Sequence, residues 1–255
     1  MADWKPDRYA LFADLRLRPA LDLLGAVPEL PDGAVVDLGC GAGSVAGALR
    51  TRFPGRELVG VDSSPKMLAK AEGSYDSQVE ARIEDWVPAT PPALIFANAA
   101  LNWVDDHAEV LRRLMRFLAP GGVLAVQVPR QSARPSHALW RSLSTELFQD
   151  RFDWSDWVSE VSEPAFYARL FERLGDARVW ETQYYQRLEP SSDAHPVRLF
   201  TRATYGRRVL DQLSEAEQTR IEAAYDVSVA KTYPLEADGS VWFPFRRLFF
   251  VVQKP

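Results

Sequence analysis

Three glycines at alternate positions, Gly39, Gly41 and Gly43, follow an acidic residue, Asp37, in the short apolar run Val35-Val36-Asp37-Leu38. Glycine lets a chain turn sharply and lie against a ligand where a Cβ would collide. Val45 to Arg50, just beyond, read as a helix. A buried strand, a glycine turn and a helix open a nucleotide-type α/β domain. The dinucleotide fingerprint needs glycine at 44, where Ser44 stands, and no Lys follows Gly43 to make a phosphate loop. A carboxylate inside the turn repels a pyrophosphate and attracts an ammonium group. These residues favour S-adenosylmethionine, which carries an α-amino group and a sulfonium cation and no phosphate. The competing reading is a structural strand–helix turn in another α/β protein.

A second acidic strand end weighs against that competitor. Glu57-Leu58-Val59-Gly60-Val61-Asp62 is again a short strand closed by a carboxylate. Asp62 stands about twenty positions past the glycines, where an acid accepts hydrogen bonds from ribose hydroxyls. Ser63-Ser64-Pro65 then caps the next helix, with proline at an early helical position. Alone, Asp62 reads as an ordinary helix cap; with Asp37 and the glycines it reads as the ribose ligand.

The chain of 255 residues is long enough for one large α/β domain or a domain with a cap. Its formal charge of −5 gives no sign of a general nucleic-acid binder. The basic side chains are overwhelmingly Arg. That suits bidentate recognition of carboxylates, although genomic base composition produces the same bias. Cys40 is the one cysteine, so no intrachain disulfide forms. Three dispersed His and one Cys give no metal-ligand spacing, and no metal is expected. No signal-peptide pattern and no bilayer-length apolar run stand in the sequence, so a cytoplasmic setting away from membranes is expected.

The elements that must position these residues follow in order. Residues 1–34 form a helical lead-in, read as two helices with a break near Arg18-Pro19. Folded over the glycine loop, it would bring Tyr9 and Arg18 to the cofactor carboxylate; aromatic packing and a surface Arg are the alternative. Residues 35–129 alternate strand and helix, which predicts a mostly parallel sheet, doubly wound and Rossmann-like. The third strand, Gln78 to Arg82, leads to Ile83, where an adenine ring should sit. The fourth ends at Asn98 and precedes Trp103; both fall at the carboxyl edge, where ligands bind in such folds. Residues 130–240 break the alternation with helices from Pro135 and Glu163 and a β-like stretch from Arg178 to Leu188. Val241 to Gln253 is the closing strand, within 241–255.

The glycine loop, Asp62 and the Leu-x-Pro-Gly-Gly turn before strand five resemble class I S-adenosylmethionine-dependent methyltransferases. Trp4-x-Pro-x-x-Tyr9, Val61-Asp62-Ser63-Ser64-Pro65-x-Met67, Asn98-Ala99-x-Leu101-x-Trp103-Val104-x-x-His107 and Phe243-Pro244-Phe245-Arg246-Arg247 are similar to those of trans-aconitate 2-methyltransferases, nearly end to end. The resemblance implies a single methyltransferase domain over 1–255. It implies a seven-stranded sheet, six strands parallel and the last antiparallel, with a helical cap after strand five. It also implies transfer of a methyl group to one carboxylate of trans-aconitate. Two positions depart from the pattern. Arg82 stands where the family usually has the Asp that meets the adenine amino group. Thr201 to Arg208 replaces a Thr-Gly-containing stretch of the cap.

A carboxylate acceptor is ionised at neutral pH and needs no general base. The chain must then align it and exclude water. Arg247, Arg246, Arg208 and Tyr184 are the candidates to hold the non-reacting carboxylates. His107 and His137 would serve as bases only for a phenol or amine, and otherwise cap or pack. Two further readings stay open: a methyltransferase for another small molecule bearing a hydroxyl, amine or carboxyl, and a cofactor-binding protein without transferase activity. The expected partner is a small organic acid, with no nucleic acid, in a monomer or homodimer.

Overall fold

The computed structural model describes residues 13–149, 151–154 and 161–255. Tyr9 lies outside the described residues. The chain divides into two compact units. One, the core unit, holds the described residues of 12–129, 160–182 and 247–255; the other, the second unit, holds those of 130–159 and 183–246.

In the core unit, helix α1 (Ala13–Gly25) precedes β1 (Val35–Leu38), α2 (Ala46–Arg52), β2 (Leu58–Asp62), α3 (Pro65–Lys70) and β3 (Ser77–Glu80). Then come β4 (Leu94–Asn98), a 3-10 turn (Leu101–Trp103), α4 (His107–Phe117) and β5 (Val123–Pro129). The expected break at Arg18-Pro19 is absent, because α1 runs through Pro19. Proline removes one helical hydrogen bond. Here the same turn buries Pro19, Ala20, Leu23 and Leu24, and that packing holds the helix together.

The remaining elements are α5 (Pro135–Leu147), α6 (Pro164–Phe171), β6 (Asp176–Leu188), α7 (Pro196–Arg202), α8 (Arg207–Leu210), α9 (Glu215–Thr232) and β7 (Val241–Gln253). Seven strands form one sheet in the order β3-β2-β1-β4-β5-β7-β6. The pairs β1–β2, β1–β4, β2–β3 and β4–β5 are parallel, and β5–β7 is antiparallel. The closing strand is as read from the sequence; β3 is shorter and ends before Arg82.

Strand side chains alternate between faces, so the register sorts them. One face carries Val36, Leu38, Ile95, Ala97, Leu124, Val126, Val128, Leu248 and Phe250, all buried in the core with Leu111, Leu114, Tyr167 and Phe171. The opposite face carries Asp37 beside Gly60 and Phe96, Asn98 beside Gln127, and Arg247 beside Pro129. Among the described residues no helix is long and apolar enough to cross a membrane.

The second unit is built around Trp140. Its ring stacks on Tyr225 at 4.4 Å, and its Nε1 donates to Thr201 Oγ1 at 3.0 Å. A Cβ on Gly206 would stand 2.7 Å from that ring, so glycine lets α8 begin there. Pro244 has no N–H to offer a ladder. Gln131 fills in: its Nε2 donates to Pro244 O at 2.9 Å and its Oε1 accepts from Arg246 N at 3.0 Å.

Candidate functional site

The glycine loop is a left-handed path that only glycines follow without strain. Gly39, Gly41 and Gly43 have φ of 77°, 55° and 79°. The three differ in what surrounds them. A Cβ on Gly39 would stand 2.2 Å from the Ala100 Cβ and 3.8 Å from Ile83 Cδ1, so this glycine lets the β1 and β4 ends close together. A Cβ on Gly41 would meet no atom within 4 Å. Packing therefore fixes Gly39, while Gly41 borders open space.

Asp62 closes β2 beside that space. Its Oδ2 accepts from Gly41 N and its Oδ1 from Ser64 N, both at 2.9 Å. Each carboxylate oxygen has a second lone pair, and the side chain is half-buried. It can hold the loop and still accept two hydroxyls. Ser64 caps α3, its Oγ accepting from Met67 N at 3.4 Å with Pro65 behind it, while Ser63 is exposed.

Asp37 has a different environment. It is buried, and the Tyr75 hydroxyl donates to its Oδ2 at 2.7 Å. Tyr75 reaches it because Gly60, the β2 neighbour of Asp37, has no Cβ; one there would overlap the Tyr75 ring at 2.7 Å. Burial pushes the Asp37 carboxyl up to about 7, against the Tyr75 hydrogen bond and with help from the Asp62 charge.

Arg82 is exposed and pairs with Glu84 at 2.9 Å and Asp85 at 3.9 Å. It engages its own loop's acids from the position of the missing family Asp. Ile83 is half-buried, and its carbonyl accepts from Arg113 Nη2, while Arg113 Nη1 donates to Trp86 O at 3.0 Å. Arg113 thus pins the 82–86 turn from α4. It escaped sequence reasoning because a lone helical Arg carries no local signature. Trp103 is 52 % exposed, and its Nε1 donates to the Asn102 amide oxygen at 3.1 Å. Arg18 is exposed on α1.

The edge continues along the second face. Asn98 sits directly beside Gln127 in the β4–β5 ladder. Gln127 is fully buried, and its Oε1 accepts from Arg247 Nη1 at 3.4 Å. Arg247 is 5 % exposed. Asn98 Oδ1 and Gln127 Nε2 are buried and have no hydrogen-bond partner among the described residues. Across the carboxyl edge the order is Asp62, Asp37, Asn98, Gln127, Arg247, on β2, β1, β4, β5 and β7. It runs from two acids through two amides to a cation. The strand order reverses between β1 and β4, the switch point where α/β sheets bind ligands.

The other acceptor candidates belong to the second unit. Tyr184 is buried on β6, Arg208 is half-buried on α8, and Arg246 is half-buried with its backbone held by Gln131 and Arg130.

Neither candidate base is free to act simply. His107 in the core unit is buried, with Nε2 2.7 Å from Leu101 O and Nδ1 2.7 Å from the Tyr167 hydroxyl. The carbonyl can only accept, so Nε2 carries the proton and Nδ1 accepts from Tyr167. Burial lowers its pKa. His137 in the second unit is pushed down to about 3 by burial and then by the Arg141 charge.

The loop offers a cradle that fits the expected cofactor: open space at Gly41, a carboxylate with spare lone pairs at Asp62, and the Ile83 side chain near Gly39. Comparisons with known proteins agree. A methyltransferase-domain family profile matches residues 9–176. A trans-aconitate 2-methyltransferase of Azoarcus sp. is 40% identical over 98% of this chain and 99% of its own length. One of Methylobacterium radiotolerans is 36% identical over 100% and 99%. Among solved structures, the YcgJ protein of Bacillus subtilis has a TM-score of 0.57 at 16% identity, covering 93% of this chain and 98% of that one. Phosphoethanolamine N-methyltransferase 2 of Haemonchus contortus, solved with S-adenosyl-L-methionine, has 0.53 at 16%, covering 93% and 53%. At that identity the structural likeness speaks for the fold.

Proposed function

The chain belongs to the S-adenosylmethionine-dependent methyltransferases, and from that membership we propose that it esterifies one carboxylate of a small polycarboxylic acid, with trans-aconitate first among acceptors. The observation that carries this reading is the change of charge along the sheet edge, from Asp62 and Asp37 to Arg247. The acidic end suits a cofactor that is cationic at its sulfonium and α-amino groups. The Arg end suits an anionic acceptor. The relatives' names point to the same acid.

Bound S-adenosylmethionine supplies the electrophilic methyl group. What the chain supplies is placement. Asp62 holds the ribose hydroxyls, Ile83 borders the adenine, and Asp37 with Asn98 faces the cationic amino acid portion. Arg247 grips a non-reacting carboxylate, because a guanidinium on the attacking oxygen would lower its nucleophilicity. No base is required, since the attacking carboxylate is already ionised. The two histidines support this choice: His107 has both nitrogens engaged, and His137 is a very weak base.

The test is a screen of di- and tricarboxylates with labelled cofactor and mass detection of the ester. Arg247→Ala is expected to lower catalytic efficiency roughly thirtyfold or more, a loss of about 2–5 kcal/mol, with cofactor affinity nearly unchanged. Arg247→Lys should recover little, because a point charge cannot reproduce a planar fork. Methylation of a neutral phenol or amine and of no polyacid overturns the acceptor. Cofactor binding with no acceptor turned over at all would favour a binding protein.

A further inference from the structure

Gln127 is the one fully buried polar side chain on the sheet edge that the reading above leaves without a task. The interior of β5 is otherwise apolar, Val123-Leu124-Ala125-Val126 before it and Val128 after it. An amide there costs free energy unless its groups are met. Half of it is met: Oε1 accepts from Arg247 Nη1, which also fixes the amide's orientation, since a guanidinium only donates. The other half, Nε2, has no partner among the described residues. On the adjacent strand, in register, Asn98 Oδ1 is likewise buried and unmet. The two unmet atoms have opposite sense. Asn98 offers an acceptor on the side of the two acids, and Gln127 offers a donor on the side of the Arg. The seam between a cationic and an anionic ligand therefore falls between β4 and β5.

We propose that Gln127 is an acceptor-binding and positioning residue: Nε2 donates to a carboxylate oxygen of the acceptor while Oε1 holds the Arg247 guanidinium in line beside it. This rests on the polyacid reading above. Arg247 alone is a long side chain with many rotamers. Tied to Gln127, it presents two donors from neighbouring strands as one rigid fork, and binding then costs less ordering of the side chain. The amide is neutral, so it selects an oxygen acceptor without adding a second cation that would compete for the cofactor's acids.

The experiment compares wild type with Gln127→Glu. Glutamate has the same length and still accepts from Arg247, but it replaces the Nε2 donor with an anionic oxygen. The expected result is a KM for trans-aconitate raised about tenfold or more. Cofactor affinity by calorimetry should be nearly unchanged, and Gln127→Met, which removes the donor and the Arg247 acceptor together, should raise KM at least as far. An unchanged KM in either variant that folds overturns the role of Gln127 while leaving the polyacid reading intact. A wild type that turns over no polycarboxylate removes that reading and this proposal together. A crystal structure of the wild type with trans-aconitate and S-adenosylhomocysteine decides independently of any variant. Nε2 within hydrogen-bond distance of an acceptor oxygen supports the proposal, and Nε2 bonded to water or protein overturns it.

Discussion

The two ends of the polar edge are held in different ways. At the β1–β2 end the chain grips itself through backbone: Asp62 accepts from the amides of Gly41 and Ser64, and the loop follows positive φ at three glycines. At the β5–β7 end one side chain holds another, Gln127 and Arg247, separated by 120 positions in sequence. The first end has its shape before any ligand arrives, because backbone dihedrals and backbone donors set it. The second exists only once the antiparallel β5–β7 ladder has formed, and side-chain chemistry tunes it. Changes of backbone conformation should therefore damage the first end more than the second, while changes of side-chain functional group reach both.

The glycines break this comparison most strongly. Gly39→Val forces a side chain into the Ala100 Cβ at a positive φ, so it should cost roughly 3 kcal/mol or more. That lowers the melting temperature by roughly 6 °C or more. Gly41→Val meets open space, so it should cost only the left-handed strain, about 1–2 kcal/mol, while abolishing cofactor binding. Thermal denaturation with and without cofactor separates them. If Gly41→Val binds normally by calorimetry, the loop does not carry the ligand.

Asp62→Ala comes next. Charge-assisted hydrogen bonds to ribose are worth roughly 1.5–3 kcal/mol each, so at least tenfold weaker cofactor binding is expected with the fold intact. The structure adds a reason for the size: the same carboxylate holds the Gly41 and Ser64 amides. Asp62→Asn, which keeps one acceptor oxygen, should lose less. Unchanged affinity in the Ala variant would take Asp62 out of the site.

The same contrast explains what could be read from the sequence. Asp37, the glycines and Asp62 lie within one strand–turn–helix–strand stretch, so spacing along the chain reports their geometry. The closing strand was legible because its apolar run is long and bounded, Val241–Gln253. Gln127 carries no local signal, since nothing near it in the sequence says it meets Arg247. Tyr75 was missed for the same reason; Gly60 read as a strand residue rather than as the gap its ring needs. Pro19 misled, because burial of its own turn outweighed the local preference to break.

The smallest effect belongs to Asp37, and it separates the two acids of the backbone-held end. With its carboxyl pushed up to about 7, much of the free protein carries a neutral Asp37 at neutral pH. An ammonium group favours the ionised form, so binding must release a proton. The competent fraction is about one half at pH 7 and about one tenth at pH 6, which weakens apparent affinity about twofold and about tenfold relative to a fully ionised Asp37. The stability of the free protein has the opposite sign. In the unfolded chain the carboxyl ionises near its ordinary value of 3.8, well before the folded one does. The unfolded state then binds fewer protons, so stability falls as pH rises from about 4 to about 7 and levels above it. Asp37→Asn can still accept from the Tyr75 hydroxyl but cannot ionise. It should bind cofactor more weakly at pH 8 and lose the pH dependence of affinity. Without cofactor it should melt higher than wild type at pH 8. Calorimetric titration from pH 6 to pH 9 checks this, and an affinity that stays flat in the wild type would mean that Asp37 does not face the cofactor's cation.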